Sequence, residues 1–156
     1  MIRPATPADA PGIGSIWNAA IRDTTITFNS IEKSKAEIVA ATQSENPFFV
    51  WDNGQIMGFT TYFPFRAGVG YLHTVEHSIL LHPDARGQGI GRKLLTHVCD
   101  HARAAGKHSL IAVVCMENAA GLAFHQSMGF VHHGTLPEVG YKFGRWLDAE
   151  FLQKRL

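Results

Sequence analysis

The sequence predicts an α/β (α+β) fold, a mixed sheet with helices on its faces, and three observations lead there. β-rich and helix-periodic segments alternate along the 156 residues in the order β-α-α-β-β-β-α-β-α-β-β. Asn53-Gly54 lies between two β-rich runs, which makes them an antiparallel hairpin. The β-α-β-α-β succession after it calls for a crossover connection, so the sheet is mixed. At this length one domain, residues 1–156, is expected.

The elements follow from local chemistry. Ile2 to Ala5 reads as a short strand, and Thr6 or Asp9 caps a helix with apolar residues at 13, 16, 17, 20 and 21. The run Asp23 to Ser30 has no clear period and reads as a loop facing a site. Lys33 to Thr42 reads as a second helix, and Phe48 to Asp52 with Gln55 to Phe63 form the hairpin. After a loop from Phe65 to Gly70, Tyr71 to Leu81 is a long β run stopped by His82-Pro83. Apolar residues at 90, 94, 95, 98 and 102 give a helix from Ile90 to Ala105 with one buried face, ended by Gly106. Ser109 to Cys115 is a strand buried on both faces, and Asn118 to Met128 is a short helix. Two last strands are expected at Phe130 to Leu136 and about Trp146 to Gln153.

Composition narrows the function. Fourteen Lys plus Arg against 13 Asp plus Glu give a formal charge of +1, which does not suit a nucleic-acid surface. No apolar stretch reaches the roughly 18 to 20 residues that cross a bilayer, and the N-terminus has no apolar signal core, so a cytoplasmic protein without a membrane partner is expected. Cys99 and Cys115 read as reduced, buried thiols. His97 and His101 share a helix face, but no third ligand completes a metal set, and His132-His133 lacks partners, so no metal is expected.

The most informative stretch runs from Leu81 to Leu95, where a strand enters a turn with glycines at 87, 89 and 91 and a helix begins. Free N–H groups at a helix start attract anions, and glycine lets a phosphate approach closely. Arg92 breaks the dinucleotide pattern, and Gly91-Arg92-Lys93 breaks the nucleotide-triphosphate loop. What remains, R-x-x-G-x-G at Arg86, Gly89 and Gly91, resembles the pyrophosphate-binding motif of the GNAT superfamily of N-acetyltransferases. The order of elements is similar to that family's over nearly the whole chain, which implies a mostly antiparallel sheet with helices on both faces and acetyl-CoA as co-substrate. It also implies a cofactor site formed by Ile79, Leu80 and Leu81, by the turn residues Arg86, Gly87, Gln88, Gly89, Ile90 and Gly91, and by Asn118. Asn118 reads equally as a helix cap.

Acetyl transfer to an amine needs a base for the ammonium proton and a proton for the departing thiolate. Glu76 stands among apolar and β-branched residues, which points to function, with a solvated residue or a buried ion pair as the other reading. Many members of the superfamily place a tyrosine acid four residues before a terminal Gly-Phe pair. Here Gly129-Phe130 matches the pair and His125 holds the position, either as the acid or as a packed helix histidine.

Asp23 to Phe28, Pro64-Phe65-Arg66, Tyr71 to Ser78 and Val139 to Trp146 are similar to the phosphinothricin acetyltransferase group, which includes methionine sulfoximine and sulfone acetyltransferases. The resemblance implies a glutamate-like amino acid acetylated on its α-amino group, a dimer, and an acceptor site built from Thr25, Phe28, Phe65, Arg66, Tyr71, Glu76 and His77. Gly68 replaces a second basic residue of some phosphinothricin-specific members, which favours the broader sulfoximine and sulfone activity. The expected reaction is direct attack of the amine in a ternary complex, because Cys115 in an apolar strand is a poor thiolate. Another small amine or a protein N-terminus as acceptor, and a non-catalytic acyl-CoA binding domain, are the rival readings.

Overall fold

Seven strands make one sheet: β1 (Ile2–Pro4), β2 (Phe48–Asp52), β3 (Ile56–Pro64), β4 (Thr74–Leu81), β5 (Ser109–Cys115), β6 (Val131–Lys142) and β7 (Arg145–Arg155). The computed structural model, which describes residues 1–156, orders them β1-β2-β3-β4-β5-β7-β6. Every neighbouring pair is antiparallel except β4 with β5. Helices α1 (Ala10–Asp23), α2 (Lys35–Thr42), α3 (Ile90–Ala104) and α4 (Ala119–Ser127) complete the fold. Ile13 and Ile16 of α1 and Ile38 of α2 pack with Phe48, Val50 and Phe59 on one face. Leu95, Val98 and Ala102 of α3 pack with Val75, Leu110 and Leu152 on the other. Successive residues of β4 therefore point to different layers: Val75 and Ile79 join the α3 side, and Leu80 the α1 side. No helix is long and apolar enough to cross a membrane.

Several expected boundaries move, each for a local reason. Tyr71 is not in a strand: Val69–Tyr71 forms a 3-10 turn after Gly68, whose φ of +107° suits glycine, and β4 begins at Thr74. Lys33 lies outside α2, its backbone held by Asn18, while Ser34 and Glu37 cap the helix reciprocally. Asn118 is the cap of α4 and not its first turn. The last two strands are longer than expected and meet in a tight hairpin at Phe143-Gly144, both with positive φ. The strand expected to end at Leu136 runs on past Pro137, which β6 absorbs in a register shift between Leu136 and Gly140. His132 has a partner after all, bonding Glu150 of β7 across the strand pair.

Arg3 ties the start of the chain to the core. Its guanidinium meets both oxygens of Asp9 at 2.8 and 2.7 Å and reaches Asp52 at 2.7 Å, joining β1, the start of α1 and the end of β2. The arginine holds the Asp9 carboxyl down at about 2. A carboxyl depressed in the folded state stabilises it above the unfolded pKa of about 3.9, and that contribution is lost as pH falls through the folded value. Asp9→Asn should therefore cost about 1–2 kcal/mol at pH 7 and flatten the loss of stability between about pH 4 and 2, as read by urea unfolding across that range.

Candidate active site

The parallel ladder between β4 and β5 is short. Thr74 pairs with Ser109, Val75 with Leu110 and Glu76 with Ile111, and there it stops. Both strands continue in other company, β4 with β3 to Leu81 and β5 with β7 to Cys115. They diverge like the arms of a fork, and the edges facing the gap carry unpaired backbone groups. A cleft of about 260 Å³ fills the fork, lined by Glu76 to Leu80 on one arm and Ala112 to Cys115 on the other. Ile26 to Asn29 of the loop after α1 form one wall, and Asn118 and His125 stand at the α4 side.

Glu76 occupies the crotch of the fork. It is half-buried, it has no hydrogen-bond or ion-pair partner, and burial pushes its carboxyl above the usual carboxylate range. Of the readings open from sequence, the buried ion pair is excluded by that isolation. A carboxylate in this state is a competent proton acceptor for a ligand in the cleft.

His77 and His125 meet beneath the cleft. His125 Nδ1 lies 2.7 Å from the carbonyl oxygen of Gly121, so that nitrogen carries the proton, and the neutral ring offers only Nε2 as acceptor. His77 Nε2 lies 3.1 Å from it and must be the donor, which leaves His77 Nδ1 a buried lone pair without partner. Burial pushes His77 down to about 3 and lowers His125 as well. Both nitrogens of His125 are engaged and its ring is neutral, so in this arrangement it holds no proton ready for a thiolate. Of the two readings of His125, the packed helix histidine accounts for its contacts.

At the far end of β4 the turn is built as its glycines require. Gly87 and Gly89 have φ of +74° and +73°, and a Cβ on either would meet nothing within 4 Å. The N–H groups of Gly87, Gly89, Ile90, Gly91 and Arg92 have no acceptor within the chain. Gly91 serves packing instead: a Cβ there would lie 3.1 Å from Leu81 Cδ1. Ile90 buries its side chain with Met57 and Leu94 and contributes only its N–H to the turn, while Arg86 and Gln88 are exposed beside it. An open cradle of free donors at the start of a 15-residue helix fits a pyrophosphate. Asn118 caps α4, since Oδ1 accepts from Gly121 N at 2.9 Å, and its Nδ2 is left without an acceptor at the cleft. Of the residues expected at the cofactor, Ile79 and Leu80 line the cleft, and Leu81 ends the strand that leads from it to the turn.

The residues expected at the acceptor are less united. Phe28, Glu76 and His77 line the cleft. Thr25 turns away to bond Glu117 at 3.1 Å. Phe65 and Tyr71 line a second concavity with Ile111 and Phe151, and Arg66 lies over the Tyr71 ring, 5.4 Å from its centroid, in a third. The cleft also takes Trp17, Ile26 and Asn29, which the sequence did not mark as site residues; Ile26 and Asn29 lie in the loop read as facing a site, whereas Trp17 carried no signal beyond its apolar position in α1.

A fork that exposes strand edges, with a phosphate-sized cradle of free N–H groups at its end, now meets an independent comparison: the acetyltransferase (GNAT) family matches residues 15–130. The chain belongs to the GNAT acetyltransferase family. It is 41% identical over 160 residues to the L-amino acid N-acyltransferase MnaT of Escherichia coli K12, covering 99% of this chain and 93% of that protein. It is 38% identical to the L-methionine sulfoximine/L-methionine sulfone acetyltransferase of Salmonella typhimurium, with 99% and 94% covered. The solved structure of yncA from Salmonella typhimurium with its cofactor acetyl-CoA superposes with a TM-score of 0.94 at 37% identity, covering 100% of this chain and 93% of that one.

The tautomers of this GNAT chain are open to measurement. Nitrogen-15 NMR at pH 7 should show His125 protonated at Nδ1 and His77 at Nε2, with His77 untitrated down to about pH 3. Because burial depresses this histidine, its neutral form supports the fold fully above about pH 6.5 and progressively less below it. An Nε2-protonated His125 at pH 7 would contradict the assignment.

Proposed function

We propose that the protein transfers the acetyl group of acetyl-CoA to the α-amino group of a small glutamate-like amino acid, namely methionine sulfoximine, methionine sulfone or phosphinothricin, by direct attack in a ternary complex. The observation that carries this reading is the unpartnered, half-buried Glu76 carboxylate at the crotch of the fork, with the free N–H groups of the glycine turn at the end of the same strand. The names of the two relatives support the acceptor class, and the Salmonella typhimurium structure supports the co-substrate.

When bound, acetyl-CoA supplies a thioester carbonyl as electrophile and a thiolate as leaving group. The turn from Arg86 to Arg92 holds the pyrophosphate through backbone N–H groups, and the unpaired edge of Ile79 to Leu81 holds the extended arm as a strand would be held. Asn118 Nδ2 is the side-chain donor at the α4 side. Glu76 takes a proton from the acceptor ammonium, directly or through one water, which frees the nitrogen lone pair to attack. An N–H of the β4 edge near Ile79 faces the negative charge developing on the carbonyl oxygen. On collapse the attacking nitrogen sheds its remaining surplus proton to the departing thiolate, directly or through water, which gives the amide and the free thiol. We assign His125 to shaping this wall with His77 and not to proton donation, since its ring is neutral and bonded at both nitrogens.

A second copy of the chain completes the acceptor side in this proposal. Leu136, Val139, Tyr141, Phe143 and Trp146 are all exposed on the β6–β7 hairpin, an apolar surface next to the loop that walls the cleft. Sedimentation velocity should then show a particle of twice the chain mass, reduced to the monomer by Trp146→Lys.

Turnover tests the chemistry. Thiol release with acetyl-CoA is expected for methionine sulfone, methionine sulfoximine and phosphinothricin and not for a peptide amine; release with the peptide alone would replace the acceptor class. Glu76→Gln should lower kcat by about a hundred-fold or more and leave acetyl-CoA binding unchanged. In the wild type, kcat/KM should rise with pH through the elevated Glu76 carboxyl, and an acyl-CoA binding domain would show binding without any release.

A further inference from the structure

The segment Lys142 to Trp146, conspicuous in the sequence, has no part in the chemistry above. Its lysine is nonetheless the least exposed ionisable side chain of the chain, at 2%. Lys142 Nζ donates to the carbonyl oxygens of Thr24 and Thr27 at 2.6 and 2.8 Å. No carboxylate pairs with it, and burial pulls its amine below the usual lysine range. A buried ammonium satisfied by backbone carbonyls alone is a costly arrangement, and it is spent on one loop.

That loop has little else to hold it. Residues 25–33 neither donate nor accept a backbone-to-backbone hydrogen bond. Asn18 fastens the far end at Lys33, and Arg145 pairs with Glu117, which accepts from Thr25 near the start. Between those points stand Lys142 and, two residues earlier on the same side of β6, Gly140. A Cβ on Gly140 would lie 2.5 Å from Phe28 Cε2 and 2.8 Å from its Cγ, so glycine is what lets the ring seat there. Its φ is not positive, which makes the requirement one of space alone. Phe28 and Thr27 line the cleft beside Glu76, whereas Gly140 and Lys142 do not reach it.

We infer that Gly140 and Lys142 are positioning residues for the acceptor: by seating Phe28 and tying Thr24 and Thr27, they set the width of the acceptor side of the cleft and the size of amino-acid side chain it admits. This rests on the acetyl-transfer reading above. Neither residue touches a substrate, so their effect is on how the acceptor is held and not on the thioester end of the fork.

The test is a steady-state comparison of the full-length protein with Gly140→Ala and Lys142→Met, varying acetyl-CoA and methionine sulfone separately. Each variant should raise KM for methionine sulfone about ten-fold and keep KM for acetyl-CoA within about two-fold. In the Gly140→Ala background, Phe28→Leu should recover much of the lost acceptor affinity by removing the clash. Limited proteolysis within residues 24–31 should accelerate about ten-fold in Lys142→Met with cleavage in α3 unchanged. Parallel rises in both KM values, unchanged acceptor KM, or unchanged cleavage in that loop would overturn the inference. If Lys142→Met does not fold, Gly140→Ala and its rescue decide. Should the wild type turn over none of the amino acids, the functional reading fails, and the proteolysis measurement still answers whether the clamp exists.

Discussion

Everything distinctive in this molecule descends from three residue pairs. Parallel strands β4 and β5 are held together only from Thr74 to Glu76 on one side and Ser109 to Ile111 on the other, and then each follows its outer antiparallel neighbour away from the other. Had the ladder run on, the middle of the sheet would be closed and Glu76 would be one more residue on its face. Because it stops, a sheet interior becomes a cleft without the loss of any strand. The backbone itself then supplies donors and acceptors to whatever enters.

The two ends of the fork solve different physical problems. At the glycine turn, charge is handled by geometry: left-handed backbone at Gly87 and Gly89 leaves successive N–H groups unclaimed at the positive end of α3. At the crotch, charge is handled by isolation: Glu76 has no partner, and the histidine pair behind it stays neutral through burial. The free donors and the isolated carboxylate thus lie apart along a single strand, with the apolar residues Ile79 to Leu81 between them.

How much of this the sequence disclosed depended on whether the determining contact was local. Asn53-Gly54, the cap at Asn118 and the turn from Arg86 to Gly91 are determined within a few residues, and they were legible. So was Glu76, because a carboxylate in an apolar strand is unusual on its own. The length of β6 was not, since Pro137 and Gly140 look like breakers until β7 is there to pair around the irregularity. The His77–His125 contact spans 48 residues, and no periodicity announces it. Arg66, Phe65 and Tyr71 were expected at the acceptor site by resemblance, yet within one chain they line separate concavities.

The Lys142 contact with Thr24 joins residues 118 positions apart, and β7, the last strand to be made, inserts between β5 and β6. On a ribosome, the first helix and the loop after it emerge long before the hairpin that fixes them. Strand β5 likewise waits, with one edge uncovered, for a partner from the end of the chain. The wall beside Glu76 is therefore finished only when synthesis is nearly complete, after the glycine turn and α3 have already been made.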